Sequence, residues 1–194
     1  MSGPGAAPSA VVLVEGLSDQ RALEVLAQRR GRDLVAEGVS IVPMGGAHAI
    51  GRFLDRFGPR GLDLELAGLC DSGEESQFRR GVERAGLGSD LTRAEMEALG
   101  FYVCVDDLEE ELIRALGADA VERVLEEEGD LESFRTLQRQ PAWRGRTTPE
   151  QLRRFMGTRG GRKVQIAARL VAALDLERVP RPLDGVLARV GRDG

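Results

Sequence analysis

The chain has 194 residues, which is long enough for one domain with a real hydrophobic core and an appendage. Its net charge of −5 gives no overall case for nucleic-acid binding, and its two cysteines, Cys70 and Cys104, lie in apolar runs typical of buried, reduced thiols. Because no apolar run approaches the roughly 20 residues that span a bilayer, we expect a cytoplasmic protein without a membrane partner.

The first half of the chain alternates strand-like and helix-like patterns. Residues 1–9 are rich in Gly, Pro, Ala and Ser and are predicted to form a disordered tail, not a signal peptide. Helices are predicted over 19–30 with Ser18 as N-cap, up to Phe57, up to Ala85, and after a capping box at Thr92. The four predicted strands cover residues 10–15, 39–43, 62–70 and 101–105. This alternation predicts an α/β fold with a mostly parallel four-stranded sheet flanked by helices.

The second half is predicted to be helical almost throughout. Leu108, Leu112 and Leu116 form an apolar stripe, and a capping box is predicted at Thr148. A last helix is predicted over 162–174, with Pro180 and Pro182 ending regular structure. We therefore divide the chain into a catalytic domain at 10–117 and a helical C-terminal extension at 118–194 that packs on it.

Charge separates along this second half. Residues 106–132 contain twelve acids and two arginines, whereas residues 134–163 contain nine bases and one acid. The basic segment Arg135–Lys163 is therefore a candidate surface for DNA phosphates, although the whole chain is acidic.

Carboxylates follow three of the four predicted strands. Glu15 follows the first strand, Asp71 the third and Asp106-Asp107 the fourth, while Asp19 lies in the first turn of the next helix. Gly45-Gly46 follows the second strand and leaves room for a ligand. A single acid at a strand end is often only a helix cap, but agreement at three strand ends favours a metal site. An all-oxygen set suits Mg²⁺ or Mn²⁺.

Four further residues have two readings each. Glu109 lies one turn beyond a strand end and either reaches the same edge or is a solvated helix acid. Lys163 is the only lysine among 27 basic residues, so it either supplies a compact ammonium beside a leaving oxygen or survives by chance. Trp143 either stacks on a base or packs on the appended helices, which we prefer. His48 either has a local role at a helix start, which we prefer, or contacts a phosphate.

These residues resemble the pattern of a TOPRIM domain, the Mg²⁺ module shared by topoisomerases, primases and certain nucleases. The pattern is Val14-Glu15-Gly16-x-x-Asp19, then Gly45-Gly46, then Leu69-Cys70-Asp71. The chain is similar in particular to the TOPRIM half of OLD-family (overcoming lysogenization defect) nucleases. In that family the fourth strand leads into a segment like Asp107-Leu108-Glu109, and a lysine, here Lys163, follows in the helical C-terminal part.

The resemblance implies a TOPRIM-like, Rossmann-like fold and a set of site roles. Glu15, Asp19, Asp71 and Glu109 become metal ligands or metal-linked acids, Asp107 becomes a helper, and Lys163 stabilises charge on the scissile phosphate. Glu15 and Lys163 are the expected catalytic residues.

Two features depart from the family pattern. The family's Asp-x-Asp is here Asp71-Ser72-Gly73, which leaves either a weakened second metal site or a replacement by Glu74 or Glu75. The ATPase half is also missing from this sequence, because its single lysine is followed by Val164 and forms no phosphate-binding loop. Coupling to ATP would therefore need a separate subunit.

The expected function is Mg²⁺-dependent nicking of DNA. Two alternatives stay open: nucleotidyl or phosphoryl transfer, or hydrolysis, on RNA or nucleotides, and a degenerate, non-catalytic module that binds metal or nucleic acid. Assembly into a homo-oligomer is compatible with each of them.

Overall fold

The computed structural model describes residues 7–157 and 160–191, and for residues 160–162 it describes the backbone alone. Residues 1–6 of the predicted tail, Arg159 and the side chain of Arg162 lie outside the described residues.

A four-stranded parallel sheet forms the centre of the fold, as the sequence predicted. Strand β1 covers Ala10–Val14, β2 Val39–Pro43, β3 Glu65–Cys70 and β4 Phe101–Val103. The strand order is β2-β1-β3-β4, so the two central strands are β1 and β3. Strand β1 is apolar and completely buried because it is covered on both faces.

Ten α-helices are present in the described part of the chain. Four of them alternate with the strands or precede β4: α1 Leu17–Arg29, α2 Ile50–Phe57, α3 Glu75–Arg84 and α4 Arg93–Ala98. Six follow β4: α5 Leu108–Leu116, α6 Ala118–Glu127, α7 Leu131–Arg139, α8 Thr148–Gly157, α9 Gly160–Ala173 and α10 Arg181–Arg189.

The sheet separates two hydrophobic cores. On β1, Val12 and Val14 face a core shared with α1 and with α5 to α10, while Val11 and Leu13 face a second core shared with α2, α3 and α4. The period of two along a strand explains this division. The helices after Leu116 therefore complete one face of the sheet, and α9 packs along α1. The proposed boundary at residue 117 stays a prediction.

Four local predictions were wrong. Strand β3 begins at Glu65 instead of residue 62, because Asp63 has a left-handed backbone (φ 51°), and β4 ends at Val103. Gly16, not Ser18, caps α1. The capping box of α8 is made by Thr147 with Glu150, one residue earlier than predicted.

A fifth local prediction was also wrong, because a tenth helix begins within the proline pair that was expected to end regular structure. Helix α10 begins at Arg181, with Pro182 in its first turn, where a missing N–H costs no helical hydrogen bond. Among the described residues, none of the helices combines the length and apolar character needed to cross a bilayer.

The strand order creates a crevice at the carboxyl edge of the sheet. The chain leaves β1 toward β2 and then crosses to β3 on the other side of β1. The two central strands therefore flank a topological switch point, where ligands of open parallel sheets bind.

Candidate metal centre

Glu15 and Asp71 face each other across the two central strands. Each residue directly follows its strand, and Val14 pairs with Leu69 in the parallel register. The backbone N–H of Asp71 donates to Glu15 Oε1 at 2.7 Å. Strand pairing thus brings together two acids that are 56 positions apart in the chain.

The backbone of Glu15 is held from the other side by the glycine pair after β2. The N–H groups of Gly45 and Gly46 both donate to the carbonyl oxygen of Glu15, each at 3.0 Å. Both glycines have positive φ, at 78° and 117°, a conformation that other residues adopt at a cost. The Gly-Gly pair therefore fixes the end of β1 from which the Glu15 side chain projects.

Asp19 joins the same edge from the first turn of α1. Its Oδ2 accepts the N–H of Gly16 at 2.8 Å, which ties the carboxylate to the turn between β1 and α1. Burial, together with the fields of Glu109 and Glu15, raises the pKa of Asp19 to about 6.

The start of α5 contributes Asp107 and Glu109. Asp107 caps the helix: its Oδ1 accepts the N–H of Glu110 at 2.8 Å, and its Oδ2 accepts Arg153 Nε at 2.7 Å. Both oxygens of Asp107 are thus engaged, and its helper role toward a metal stays a prediction. Glu109 is buried and points to Lys163 of α9, with 3.2 Å between Oε1 and Nζ.

The pKa of Asp71 is affected by all the other predicted metal-site acids. Burial and then the carboxylates of Glu15, Asp19, Asp107 and Glu109 raise the pKa of Asp71 to about 8. Burial also raises the pKa of Glu15 and of Glu109, against the opposing effect of Lys163 on both. The five acids predicted as metal ligands or helper are therefore close enough to affect one another's ionisation, namely Glu15, Asp19, Asp71, Asp107 and Glu109.

Lys163 is the cation of this cluster. Burial alone lowers its pKa, but Glu109, Asp19 and Asp71 outweigh that effect, so the pKa of Lys163 lies above its usual value. The side chain is therefore an ammonium at neutral pH.

The carboxylate oxygens of these residues are the donors that a hard divalent cation prefers, but they are not arranged as a complete coordination shell. Among the described residues, no group of three His, Cys, Asp or Glu side chains is arranged as a ready metal site. Glu15 and Asp19 instead accept main-chain N–H groups, from Asp71 and Gly16, and Glu109 forms an ion pair with Lys163. The buried Oε1 of Glu109 accepts no well-directed hydrogen bond from the described residues. A cation would offset both the burial of these carboxylates and their mutual repulsion, the two causes that raise their pKa values.

Comparison with known proteins agrees with this geometry. Residues 9–72 match the family model of the "overcoming lysogenization defect protein-like, TOPRIM domain". These residues carry the Glu-Gly-x-x-Asp turn, Gly45-Gly46 and Asp71. Residues 9–72 therefore match a TOPRIM domain, and the chain as a whole resembles the OLD family in its fold.

Solved structures show the same fold over nearly the whole chain. The C-terminal region of the Xanthomonas campestris pv. campestris OLD protein is 21% identical with a TM-score of 0.75, over 94% of this chain and 92% of that one. The C-terminal region of the Burkholderia pseudomallei OLD protein is 19% identical with a TM-score of 0.73, over 94% and 96% of the two chains. No curated protein matches the sequence significantly. TOPRIM domains of this nuclease type generally bind divalent metal ions.

The TOPRIM structure separates the two proposed replacements for the missing aspartate. Glu75 is bonded to both Arg79 and Arg93, which lower its pKa. Glu74 is half-buried, and its charge raises the pKa of Glu15. Glu74 is therefore the better placed of the two to act with Glu15.

The basic segment is partly neutralised by the acidic one. Arg135 bonds to Glu122 at 2.6 Å and 3.0 Å, and Arg153 bonds to Asp107. The pairing of Arg153 with Asp107 was not predicted, because no sequence spacing relates residues of α5 and α8. Exposed arginines remain along the segment, at Arg139, Arg144, Arg146 and Arg154.

The two remaining candidates lie on the surface of the TOPRIM protein. His48 is exposed within the short 3-10 turn Ala47–Ala49 that precedes α2, as expected for a helix-start residue. Trp143 is half-buried between α7 and α8, with the guanidinium of Arg154 5.8 Å from its ring centroid.

Proposed function

We propose that this TOPRIM protein is a Mg²⁺-dependent nuclease that nicks DNA by hydrolysing phosphodiester bonds. The observation that carries the proposal is the convergence of four other carboxylates on Asp71, next to the ammonium of Lys163. Such crowding is unfavourable without a cation, and an all-oxygen donor set is the chemistry that Mg²⁺ prefers.

Four acids would hold the cation: Glu15, Asp19, Asp71 and Glu109. When bound, Mg²⁺ supplies Lewis acidity, which polarises the scissile phosphate and favours deprotonation of an attacking water. The chain's part is to fix the geometry. Glu15 is held by the Asp71 N–H, and the end of its strand is held by Gly45 and Gly46.

Lys163 would act directly on the substrate. Its ammonium is held at the centre by the buried Glu109, and its raised pKa keeps it charged at neutral pH. A positive charge at this place stabilises the negative charge that develops on the phosphate and on the leaving oxygen.

The basic segment Arg135–Lys163 would hold the DNA backbone. Its exposed guanidiniums can bind phosphates without reading sequence, so affinity should fall as salt rises. Coupling to ATP would require an ATPase from outside these 194 residues, and assembly of several copies is compatible with the proposal.

Nicking of supercoiled plasmid tests the function. Wild-type protein with Mg²⁺ or Mn²⁺ should convert plasmid to the open-circular form, and Glu15→Gln should abolish the conversion. Glu65→Gln is the matched control, because Glu65 lies at the opposite end of β3 and pairs with Arg189. Equal activity of wild type and Glu15→Gln would contradict the proposal.

A second candidate is a non-catalytic module that binds metal or nucleic acid, which the loss of the second aspartate at Gly73 favours. Calorimetric titration with Mg²⁺ separates the two. Metal binding that depends on Asp71, with no turnover on DNA, RNA or nucleotides, would support the module. Turnover on RNA or nucleotides alone would instead support the transferase or hydrolase reading of the same site.

A further inference from the structure

Two neighbouring clefts lie beside α8 and share Trp143 and Arg154. One has a volume of about 410 Å³ and is also lined by Thr136 and Phe155. The other has a volume of about 450 Å³ and is also lined by Asp107, the cap of α5. Both volumes are in the range of small-molecule sites, roughly 300–1,000 Å³.

The backbone of Trp143 is fixed by a buried amide network. Its N–H donates to the carbonyl of Gln140 at 2.9 Å, and its own carbonyl accepts Gln151 Nε2 at 2.7 Å. Gln151 is 6% exposed, and its Oε1 accepts Gln138 Nε2 at 2.7 Å. These bonds use the main chain of Trp143, so the indole is not needed to make them.

The side chain of Trp143 is not part of a hydrophobic core, which leaves it available for stacking. Trp143 is half-buried and lies outside both hydrophobic cores. The guanidinium of Arg154 stands 5.8 Å from the ring centroid, and Arg146 and Arg153 line the second cleft as well. An aromatic ring among guanidiniums offers stacking for a base and charge for the adjoining phosphates.

The second cleft connects this aromatic residue to the metal centre. Asp107 lines the cleft, and its carboxylate is among those that raise the pKa of Asp71. A strand whose scissile phosphate lies at the acids could follow this cleft from Asp107 to the indole.

We propose that Trp143, with Arg154, stacks on an unpaired base of the DNA strand next to the scissile phosphate. The proposal rests on the nuclease function and narrows its substrate. Inside a duplex both faces of a base are covered by its neighbours, and only the outer face of an end pair is open. Single strands, frayed ends and gaps should accordingly bind more tightly than intact duplex.

Fluorescence tests the contact directly, because Trp143 is the only tryptophan of the chain. The protein is titrated with a single-stranded oligonucleotide, with an abasic strand of equal length and with a duplex, using Ca²⁺ to slow cleavage. Anisotropy of a dye on the DNA reports binding independently of the indole. We expect quenching of Trp143 by the base-bearing single strand and much less by the other two.

Three variants separate stacking from charge. Trp143→Ala should weaken binding of the base-bearing strand roughly tenfold or more and leave the abasic strand unaffected, while Trp143→Phe should restore most of the affinity. Arg144→Gln is the matched control: Arg144 is exposed beside Trp143, and its loss should weaken both strands equally.

The outcomes distinguish this proposal from the proposed function. Binding by anisotropy with unchanged Trp143 emission, or an equal loss for both strands in Trp143→Ala, overturns the stacking site and leaves the nuclease standing. Absence of any DNA binding by wild type overturns both.

Discussion

The main-chain N–H of Asp71 donates to the carboxylate of Glu15 at 2.7 Å. The bond links the ends of the two central strands, so the separation of these acids is set by strand pairing and not by the flexible glutamate side chain. The carboxylate of Glu15 is thus oriented by the main chain of Asp71. The same bond opposes the effect of burial on the pKa of Glu15 and favours its ionised form.

Lys163→Met should remove a charge that acts on the transition state. Because Lys163 is held at the acids by Glu109, we expect the nicking rate at saturating DNA to fall by about 10²–10³. Binding of DNA, measured by anisotropy, should change little in comparison. Arg169→Met is the control on the same helix, since Arg169 pairs with Glu128 away from the centre. A similar loss in both variants would show that only the overall charge matters.

The metal-free protein should lose stability as pH rises. Asp71 has a pKa of about 8 when folded and an ordinary value of 3.8, so the folded state holds a proton that the unfolded state has released. Between about pH 4 and 8, stability should therefore fall with pH, by at most about 1.4 kcal/mol per unit for one group, and less for a partly exposed one. The raised pKa of Asp19 makes stability fall in the same direction between pH 3.8 and about 6.

Urea unfolding in EDTA across this pH range measures the effect. Asp71→Asn is the control, because it removes the titrating group. The stability of this variant should fall less with pH than that of wild type. Adding Mg²⁺ should reverse the trend above neutral pH, since the cation binds the ionised acids of the folded state alone. A wild type that gains stability relative to Asp71→Asn as pH rises in EDTA would contradict the assignment.

Much of the fold could be predicted because its signals are local. The apolar run Ala10–Val14 and the Thr92 capping box each act within a few residues. The errors occurred where local signals competed. Thr147 and Thr148 both precede an acid or amide at the capping spacing, and the buried hydrogen bonds of Gln151 favour the first.

The candidate site was predicted in composition but not in contacts. Parallel strands bring their carboxyl ends to one edge, so Glu15 and Asp71 could be placed together from the strand pattern alone. The partners of Asp107 and Glu109 could not, because Arg153 and Lys163 reach them through the packing of α8 and α9 on α5. The packing of one helix on another produces no sequence periodicity from which their contacts could be predicted.

Glu74 and Glu75 should respond differently to loss of charge. Glu74→Gln should weaken Mg²⁺ binding severalfold by calorimetry, because the Glu74 charge acts on Glu15. Glu75→Gln should leave Mg²⁺ affinity nearly unchanged and lower stability instead, because it breaks the bonds to Arg79 and Arg93. The two variants are each other's control. Equal effects on Mg²⁺ affinity would remove Glu74 from the centre.

Gly73→Asp should strengthen metal binding by restoring the second acid of the Asp-x-Asp pattern. A Cβ at Gly73 meets nothing within 4 Å, and the residue lies exposed in the 3-10 turn Ser72–Glu74, so the change should fit without strain. In EDTA the added charge should lower the melting temperature slightly, because it joins acids that already repel one another. In Mg²⁺ the melting temperature should rise above that of wild type, and nicking should be faster. Gly73→Asn is the control of equal size without charge, and a matching gain in that variant would assign the effect to the backbone of the turn and not to a ligand.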